Sequence, residues 1–222
     1  MQVDWYGQAA FRLTAPAATV FIDPFANMSA LARRGVEFRY PPIEAVGADL
    51  VLVTHEHLDH NGVAAIDGSP VVLRSTAGRL ASPIGEILAV ASEHDAVAGT
   101  ERGPNTIFVF ELDGVRVCHF GDFGQRELRP EQADAIGSVD LLFVPVGGGP
   151  TIGGAQAAAI AARLHAQFVV PMHYRTARVN FLEPADSFLA AVPAALALDS
   201  PRFEFSELPV RRGPLAVVPA VP

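Results

Sequence analysis

The sequence predicts a single α/β domain, because its first half consists of short predicted strands and its second half contains a predicted parallel β-α-β unit. The first half consists of short strand-like segments joined by tight turns rich in Gly, Pro and Asp. The second half has a strand at 141–146, an Ala-rich helix at 155–165 and a strand at 168–171. This β-loop-α-β order favours a parallel strand pair. No repeat, linker or composition break divides residues 1–222, so one domain is expected.

Tight turns and one long loop organise the first half. Asp113-Gly114 is the strongest hairpin signal in the chain. Residues 26–47 are irregular and predict a long loop, a length that is typical of a lid or binding loop. A short helix is expected at about 58–66. The predicted strands are 10–14, 19–22, 49–54, 71–74, 87–91, 106–112 and 115–120.

The last third is predicted to end loosely. Residues 186–198 have a helical pattern, with Pro193 as a potential kink. Residues 202–207 are a candidate last strand, and the Pro-rich tail that follows is expected to be unstructured.

Charge and composition exclude several function classes. The net charge of −8 provides no overall basic field for a polyanion, so nucleic acid is not expected as a partner. All 16 basic residues are Arg, and a chain without Lys offers no Schiff base and no lysine phosphate clamp. The single cysteine, Cys118, forms no intrachain disulfide or thiolate metal cluster.

The chain carries no recognisable targeting or membrane signal. Its N-terminus lacks the charged and apolar regions of a signal peptide, and no apolar run reaches the length of a membrane span. A cytoplasmic protein that acts on a small molecule is therefore expected, and the sequence leaves a homo-oligomer open.

The most informative segment is Thr54-His55-Glu56-His57-Leu58-Asp59-His60. It holds three of the seven histidines and one aspartate directly after an apolar strand. Imidazole and carboxylate groups are the ligands of borderline divalent metals such as zinc, manganese and iron. Crowding them into one turn is costly unless a cation neutralises and orients them.

Polar clusters follow four of the predicted strands. Ligands gather where the strands of open α/β sheets end, and five of the seven histidines lie at such ends. Two ions need roughly three protein ligands each and a shared oxygen. The candidates are His55, His57 and His94 for one ion, Asp59, His60 and His173 for the other, and Asp122 as a bridge.

Other polar residues offer competing interpretations. His119 could replace His94, but strand alternation places it on the opposite face from Asp122 unless a turn at Gly121 intervenes. His165 is typical of a solvated helical histidine, and Glu56 is expected to point away from the site. The glycine-rich run 147–154 lacks the Lys of a phosphate loop and reads as a flexible turn that leads into a helix.

These residues resemble the HxHxDH signature of the metallo-β-lactamase superfamily. Trp5 to Phe11 and Phe21 to Phe25 are similar to the opening hairpin of one branch, which contains the ascorbate-phosphate lactonase relatives and many metal-dependent hydrolases. Residues 103–106, 119–122 and 171–174 are similar to later blocks of that branch. The resemblance covers roughly residues 3–180.

The resemblance implies a four-layer αββα sandwich with a dinuclear site at one edge. It assigns the same seven ligands as the count above, with Asp122 shared by the two ions. Many relatives carry His where this chain has Gln8, so a role of that position in substrate binding or ligand support is in doubt. The substrate of the lactonase therefore does not transfer.

The expected reaction is hydrolysis by a hydroxide that bridges two divalent ions, zinc first and manganese or iron as alternatives. Such ions lower the pKa of water from about 15.7 to near 7, so no Ser, Cys or Lys nucleophile is needed. Asp122 and Asp59 are the candidate catalytic carboxylates, Asp59 as a proton relay. Asp23 could brace a ligand histidine or simply occupy a turn.

Substrate recognition is assigned to residues near a ligand strand and in the long loop. Tyr174, Arg175 and Arg178 follow His173 and could face the site. The loop arginines, Arg33, Arg34 and Arg39, suggest an anionic ester, lactone or phosphoester.

Two other functions on the same fold remain as alternatives. One is a di-iron redox protein, which would accept the same ligands. The other is a phosphodiesterase or nuclease, and the net negative charge of the chain argues against it.

Overall fold

Two mixed β-sheets face each other in the structure, a computed structural model that describes residues 1–29 and 35–222. The described residues form sixteen strands and three α-helices. The strands are β1 (Gln2–Gly7), β2 (Ala10–Thr14), β3 (Thr19–Ile22), β4 (Val46–Gly47), β5 (Leu50–Val53), β6 (Ile66–Asp67), β7 (Val71–Arg74), β8 (Gly78–Ser82), β9 (Gly85–Glu93), β10 (Pro104–Leu112), β11 (Val115–His119), β12 (Leu141–Pro145), β13 (Phe168–Met172), β14 (Ala195–Ala197), β15 (Arg202–Glu204) and β16 (Leu215–Val218). The helices are α1 (Pro130–Ile136), α2 (Gly154–Arg163) and α3 (Asp186–Ala191).

The sheets combine antiparallel hairpins with parallel crossovers. The six-stranded sheet has the order β15-β1-β2-β3-β5-β7, and β3, β5 and β7 are parallel. The eight-stranded sheet has the order β14-β16-β13-β12-β11-β10-β9-β8. In it, β8 to β11 form antiparallel hairpins, and β11, β12, β13, β16 and β14 are parallel. The strands β4 and β6 form a separate pair.

The core lies between the two sheets and continues on both outer faces. Leu50 and Leu52 of β5 point into the central cluster, whereas Val51 and Val53 belong to a second cluster on the outer face of the six-stranded sheet. This alternation follows from the two-residue period of a strand. Burying each such aliphatic side chain contributes about 1.5–3 kcal/mol.

The predicted αββα sandwich is confirmed, with an unequal pair of outer layers. Helix α2 packs on β12 and α1 on β9, so the helices cover the eight-stranded sheet. Among the described residues, the six-stranded sheet is covered by loops that carry Phe25, Tyr40 and Ile43, by Leu182, and by a 3₁₀ turn at Val63–Ala65. No helix in the described ranges is long and apolar enough to cross a membrane.

The predicted helix at 58–66 is wrong. The chain there forms turns and the 3₁₀ turn Val63–Ala65. Its backbone is tied to the preceding loop, because the Ala26 amide donates to the Leu58 carbonyl at 2.8 Å and the Gly62 amide donates to the Pro24 carbonyl at 2.6 Å. These bonds occupy groups that an α-helix would need for its own ladder.

The predicted helix at 186–198 is only half right. Helix α3 ends at Ala191, and Val192 has an extended backbone (ψ 150°) because Pro193 follows it. The next residues form β14. The candidate strand at 202–207 is β15 followed by a 3₁₀ turn at Phe205–Glu207.

The Pro-rich tail is not loose, contrary to expectation. It contains β16, which pairs with β13 and β14 and has three buried residues. Strand β8 was not predicted either; it pairs with β9, and its side chains are largely exposed. The Asp113-Gly114 hairpin and the parallel β12-α2-β13 unit are confirmed. The described part of loop 26–47 is irregular except for β4 and an isolated bridge at Phe38.

Candidate metal centre

Four strands end at one edge of the sandwich and deliver polar side chains there. Strand β5 leads to His55 and His57, β9 to His94, β11 to Asp122, and β13 to His173. The two sheets meet at this edge, since the Thr106 amide of β10 donates to the Thr54 carbonyl after β5 at 3.0 Å. The site is therefore built by both sheets.

The first group of side chains is a triad of imidazoles. His55, His57 and His94 each offer a nitrogen, and these nitrogens lie within 4.8 Å of one another. Nε2 of His55 and Nδ1 of His57 are 3.1 Å apart. His55 and His94 are buried, whereas His57 is exposed, so the triad is open to solvent on one side.

The second group contains the two carboxylates. Asp59, His60, Asp122 and His173 also place one ligand atom each within 4.8 Å of the others. Asp122 touches both groups, because its Oδ2 lies 3.1 Å from His94 Nε2 and 3.2 Å from His173 Nε2. Thus the structure brings together all seven residues that the sequence singled out.

The donor set fits cations better than it fits internal hydrogen bonds. His60 Nε2 and Asp122 Oδ1 are 3.3 Å apart and fully buried, yet neither forms a hydrogen bond with any described residue. Buried polar atoms are rarely left in this state. Two atoms that converge without bonding have the geometry of ligands around a common centre. Nitrogen and oxygen donors of this kind suit zinc, manganese or iron.

The hydrogen bonds of three histidines leave Nε2 free to bind an ion. His60 Nδ1 donates to Asp23 at 2.8 Å, and His94 Nδ1 donates to the Pro150 carbonyl at 3.0 Å. His55 Nδ1 lies 3.1 Å from the Thr54 hydroxyl, whose own proton goes to Asp23. A histidine that donates from Nδ1 keeps its lone pair on Nε2, as a metal ligand must.

Electrostatics at the centre favour positive charge. Burial opposes ionisation of Asp122, but His173 and His60 outweigh it and hold the pKa of that carboxyl well below its usual range. Burial lowers the pKa of His60, yet Asp122, Asp59 and Asp23 raise it well above the ordinary value. Burial and the neighbouring His60 lower the pKa of His55 to about 2. The ionised carboxylates therefore favour positive charge nearby. The imidazoles cannot provide all of it, because crowding prevents them from all being protonated.

Asp23 braces the centre from beneath, one of the two roles considered for it. It is fully buried and accepts three hydrogen bonds, from the Thr54 amide, the Thr54 hydroxyl and His60 Nδ1, at 2.7–2.8 Å. Its backbone has a φ of +48°, which is rare for a residue with a side chain. Such strain is tolerated where surrounding bonds fix the conformation.

Sequence reasoning missed three supporting groups. Asn105 accepts the Asp122 amide at 3.0 Å and donates to the Phe120 carbonyl at 2.8 Å, which fixes the turn that carries Asp122. The Thr54 hydroxyl links His55 to Asp23 through two hydrogen bonds. The Pro150 carbonyl gives the glycine-rich run a role as an anchor for His94. Only the position of Thr54 next to a ligand signalled such a role.

The residues considered as alternatives lie elsewhere. His119 is buried outside the cluster, where Nε2 donates to the Ala9 carbonyl at 3.0 Å and Nδ1 accepts the Gly121 amide at 3.1 Å. Burial lowers its pKa, and Nδ1 carries no proton because it accepts the Gly121 amide. His165 is exposed as expected, but it lies in the turn after α2 and not in the helix. Glu56 is exposed and pairs with Arg74, as expected.

The residues predicted to bind substrate contact other residues of the chain. Tyr174 is buried and stacks on Trp5 with ring centroids 5.9 Å apart. Arg175 is exposed and donates from Nε to the Leu182 carbonyl at 2.6 Å, and Arg178 donates to the Pro222 carbonyl. Neither Tyr174 nor Arg175 belongs to the two ligand groups, and their role in substrate binding stays a prediction.

The loop arginines give no further support. Arg39 is exposed and paired with Glu37. Arg33 and Arg34 lie outside the described residues.

Gly121 offers a test of how tightly the Asp122 turn is built. A Cβ at this position would collide with Asn105 and would lie 2.6 Å from the Thr54 Cβ, on a backbone with φ +54°. We expect Gly121→Ala to lower the free energy of unfolding by about 1–3 kcal/mol beyond the backbone cost, because the site cannot expand. Denaturant titration of Gly114→Ala measures the backbone cost alone, since Gly114 has φ +72° and open space. Equal losses in both variants would contradict this prediction.

Comparison with known proteins identifies relatives across most of the chain. A family described as "Beta-lactamase superfamily domain" matches residues 2–173. A UPF0173 metal-dependent hydrolase from Pelotomaculum thermopropionicum is 32% identical over 90% of this chain and 95% of its own length. A second, from Cupriavidus taiwanensis, is 31% identical over 88% of this chain and 82% of its own length.

Solved structures show the same fold. A proposed zinc-dependent hydrolase of the metallo-beta-lactamase superfamily from Thermotoga maritima superposes with a TM-score of 0.75 and 30% identity, covering 99% of both chains. A diiron β-hydroxylase from Streptomyces venezuelae has a TM-score of 0.53 and 17% identity, covering 78% of this chain and 44% of its own, which is a likeness of fold alone.

Proposed function

Because this chain belongs to the beta-lactamase superfamily domain family and is a metal-dependent hydrolase, we propose that it uses two divalent cations to hydrolyse a small anionic ester, lactone or phosphoester. The observation that carries this proposal is the position of Asp122. A single carboxylate oxygen lies 3.1–3.2 Å from His94 of one group and His173 of the other, as a residue shared by two ions must.

The chain supplies ligands, orientation and one candidate proton carrier. His55, His57 and His94 would hold one cation, and Asp59, His60 and His173 the other. When bound, such cations supply an activated water and a Lewis acid for the charge that develops on the substrate. Asp59 is the candidate to hold or relay the proton, because its side chain is 18% exposed whereas that of Asp122 is 3% exposed.

The charge of the centre supports an anionic substrate. Two divalent cations carry four positive charges, and Asp59, Asp122 and Asp23 carry three negative ones. Before the activated water loses its proton, this leaves one net positive charge, which attracts anions, and each cation would act as a Lewis acid toward an anionic oxygen. Zinc is the proposed metal, with manganese or iron as alternatives, because the donor set accepts all three.

Removal of the metal is expected to abolish hydrolysis and to lower stability. We expect a chelator to eliminate turnover of generic lactones, carboxylic esters and phosphodiesters, and added zinc to restore it. The chelated protein should also lose about 2.7 kcal/mol of stability for each zinc site, relative to protein held at a free zinc concentration 100 times the Kd of that site. Metal analysis, a substrate panel and thermal melts measure these effects. Fewer than one metal per chain after reconstitution, without activity on any substrate, would refute the proposal.

A di-iron redox function is the alternative that the same ligands permit. The likeness to the diiron β-hydroxylase concerns the fold, so it does not favour this alternative. Iron analysis and an absorbance spectrum of freshly purified protein separate the two functions.

A further inference from the structure

Among the buried candidate histidines, one lacks the support that the other three have. His55, His60 and His94 each place Nδ1 next to an acceptor, which orients the ring. His173 Nε2 faces Asp122, but its Nδ1 is buried without a partner among residues 1–29 and 35–222. An imidazole that binds a cation through Nε2 carries its proton on Nδ1, and ligand histidines normally donate that proton to an acceptor. His173 therefore needs an acceptor nearby.

Gln8 has the complementary deficiency. Its side chain is fully buried, and its Nε2 donates to Asp59 Oδ2 at 3.3 Å, whereas Oε1 has no partner in the described part of the chain. The reversed amide would place Oε1 against the ionised Asp59, so the carboxylate fixes this orientation. Oε1 therefore needs a donor.

The two residues are neighbours across the sandwich. The backbone amide of His173 donates to the backbone carbonyl of Gln8 at 3.3 Å. Both residues have a φ of +51°, a conformation that residues with side chains rarely adopt. Strained backbone of this kind clusters at functional sites, where the surrounding structure holds it.

We propose that Gln8 is a positioning residue shared by two ligands of the second cation, an inference that rests on the proposed dinuclear function. Its Nε2–H holds Asp59, and its Oε1 accepts the Nδ1–H of His173, directly or through one buried water, when Nε2 of His173 binds the ion. One amide thus orients a carboxylate and an imidazole together. Gln8 is outside the seven candidate ligands and touches the reaction only through them.

Zinc titration of the apoprotein against a chromophoric chelator tests this role. Gln8→Met keeps the length of the side chain and removes both hydrogen bonds. We expect wild-type protein to bind two zinc ions, and Gln8→Met to bind one of them about 10–100-fold more weakly while the other keeps its affinity. Gln8→His retains an N–H for Asp59 and should recover part of the loss.

A second buried glutamine provides the matched control. Gln132 in α1 donates to the Ala91 carbonyl and bonds with Gln125, and neither partner is one of the seven candidate ligands. Gln132→Met should lower the melting temperature without weakening either zinc site. Wild-type affinity at both sites in Gln8→Met, or an equal loss in Gln132→Met, would overturn the inference.

Structure determination covers the case in which Gln8→Met does not fold. In a crystal structure of the zinc-loaded wild type, Gln8 Oε1 should lie within hydrogen-bond distance of His173 Nδ1 or share one water with it. A different acceptor on Nδ1 would overturn the inference. If the wild type binds fewer than two zinc ions, the dinuclear function itself fails, and this inference fails with it.

Discussion

Asp122→Asn is expected to remove hydrolytic activity and to leave the protein unable to hold two ions. Asp122 contacts both ligand groups, and its negatively charged carboxylate lies within 4 Å of four imidazoles. The asparagine has the same shape but offers one neutral oxygen. Because loss of a mere supporting partner costs about 10–100-fold in affinity or activity, loss of the shared carboxylate should exceed about 100-fold.

Metal stoichiometry and hydrolysis rate measure this effect. Asp134→Asn is the matched control, since Asp134 lies on the exposed face of α1 and should retain two ions and full activity. Two tightly bound zinc ions in Asp122→Asn would show that the two groups do not share this residue.

Asp23→Asn should produce the second-largest effect, although Asp23 is not a candidate ligand. Three donors converge on its carboxylate, from Thr54 twice and from His60. An amide can accept with only one of its two polar atoms, so at least one buried donor would face an NH₂ group. We expect the free energy of unfolding to fall by about 1–3 kcal/mol, the cost of an unsatisfied buried group.

The same substitution should loosen the ligand that Asp23 orients. Without a firm acceptor on Nδ1, His60 loses its fixed tautomer, and zinc affinity should fall about 10–100-fold. Denaturant melts in chelator isolate the stability term, and competitive zinc titration isolates the affinity term. Asp49→Asn is a comparison at an exposed carboxylate that also accepts a backbone amide. Unchanged zinc affinity in Asp23→Asn would show that Asp23 serves the turn alone.

The ligand positions could be predicted from the sequence because they follow strands. Parallel strands present their carboxyl ends at one edge, so Asp122 and His173, which follow β11 and β13 of the eight-stranded sheet, could be expected to meet. His55 follows β5 of the other sheet, and its place in the site depends on how the two sheets stack. Antiparallel steps from β9 to β11 preserve this direction and bring His94 to the same edge.

The supporting contacts could not be predicted in the same way. Gln8 reaches Asp59 across 51 residues, and Pro150 reaches His94 across 56. Nothing in local composition marks such pairs, which depend on how the sheets stack. The prediction of a helix at 58–66 was wrong for the same reason, because backbone hydrogen bonds to the loop at Pro24 and Ala26 override the local sequence pattern. The prediction of an unstructured tail was wrong because β16 pairs with β13 despite the prolines around it.

The interleaving of the two sheets along the chain dictates when the centre can form during synthesis. Strand β15, near the C-terminal end, pairs with β1, and β16 pairs with β13, the strand that leads to His173. A ribosome-bound chain that has exposed only its histidine-rich turn therefore lacks both the second sheet and the last ligand. All seven candidate ligands are therefore present only once His173 has been translated, after the first strands of both sheets.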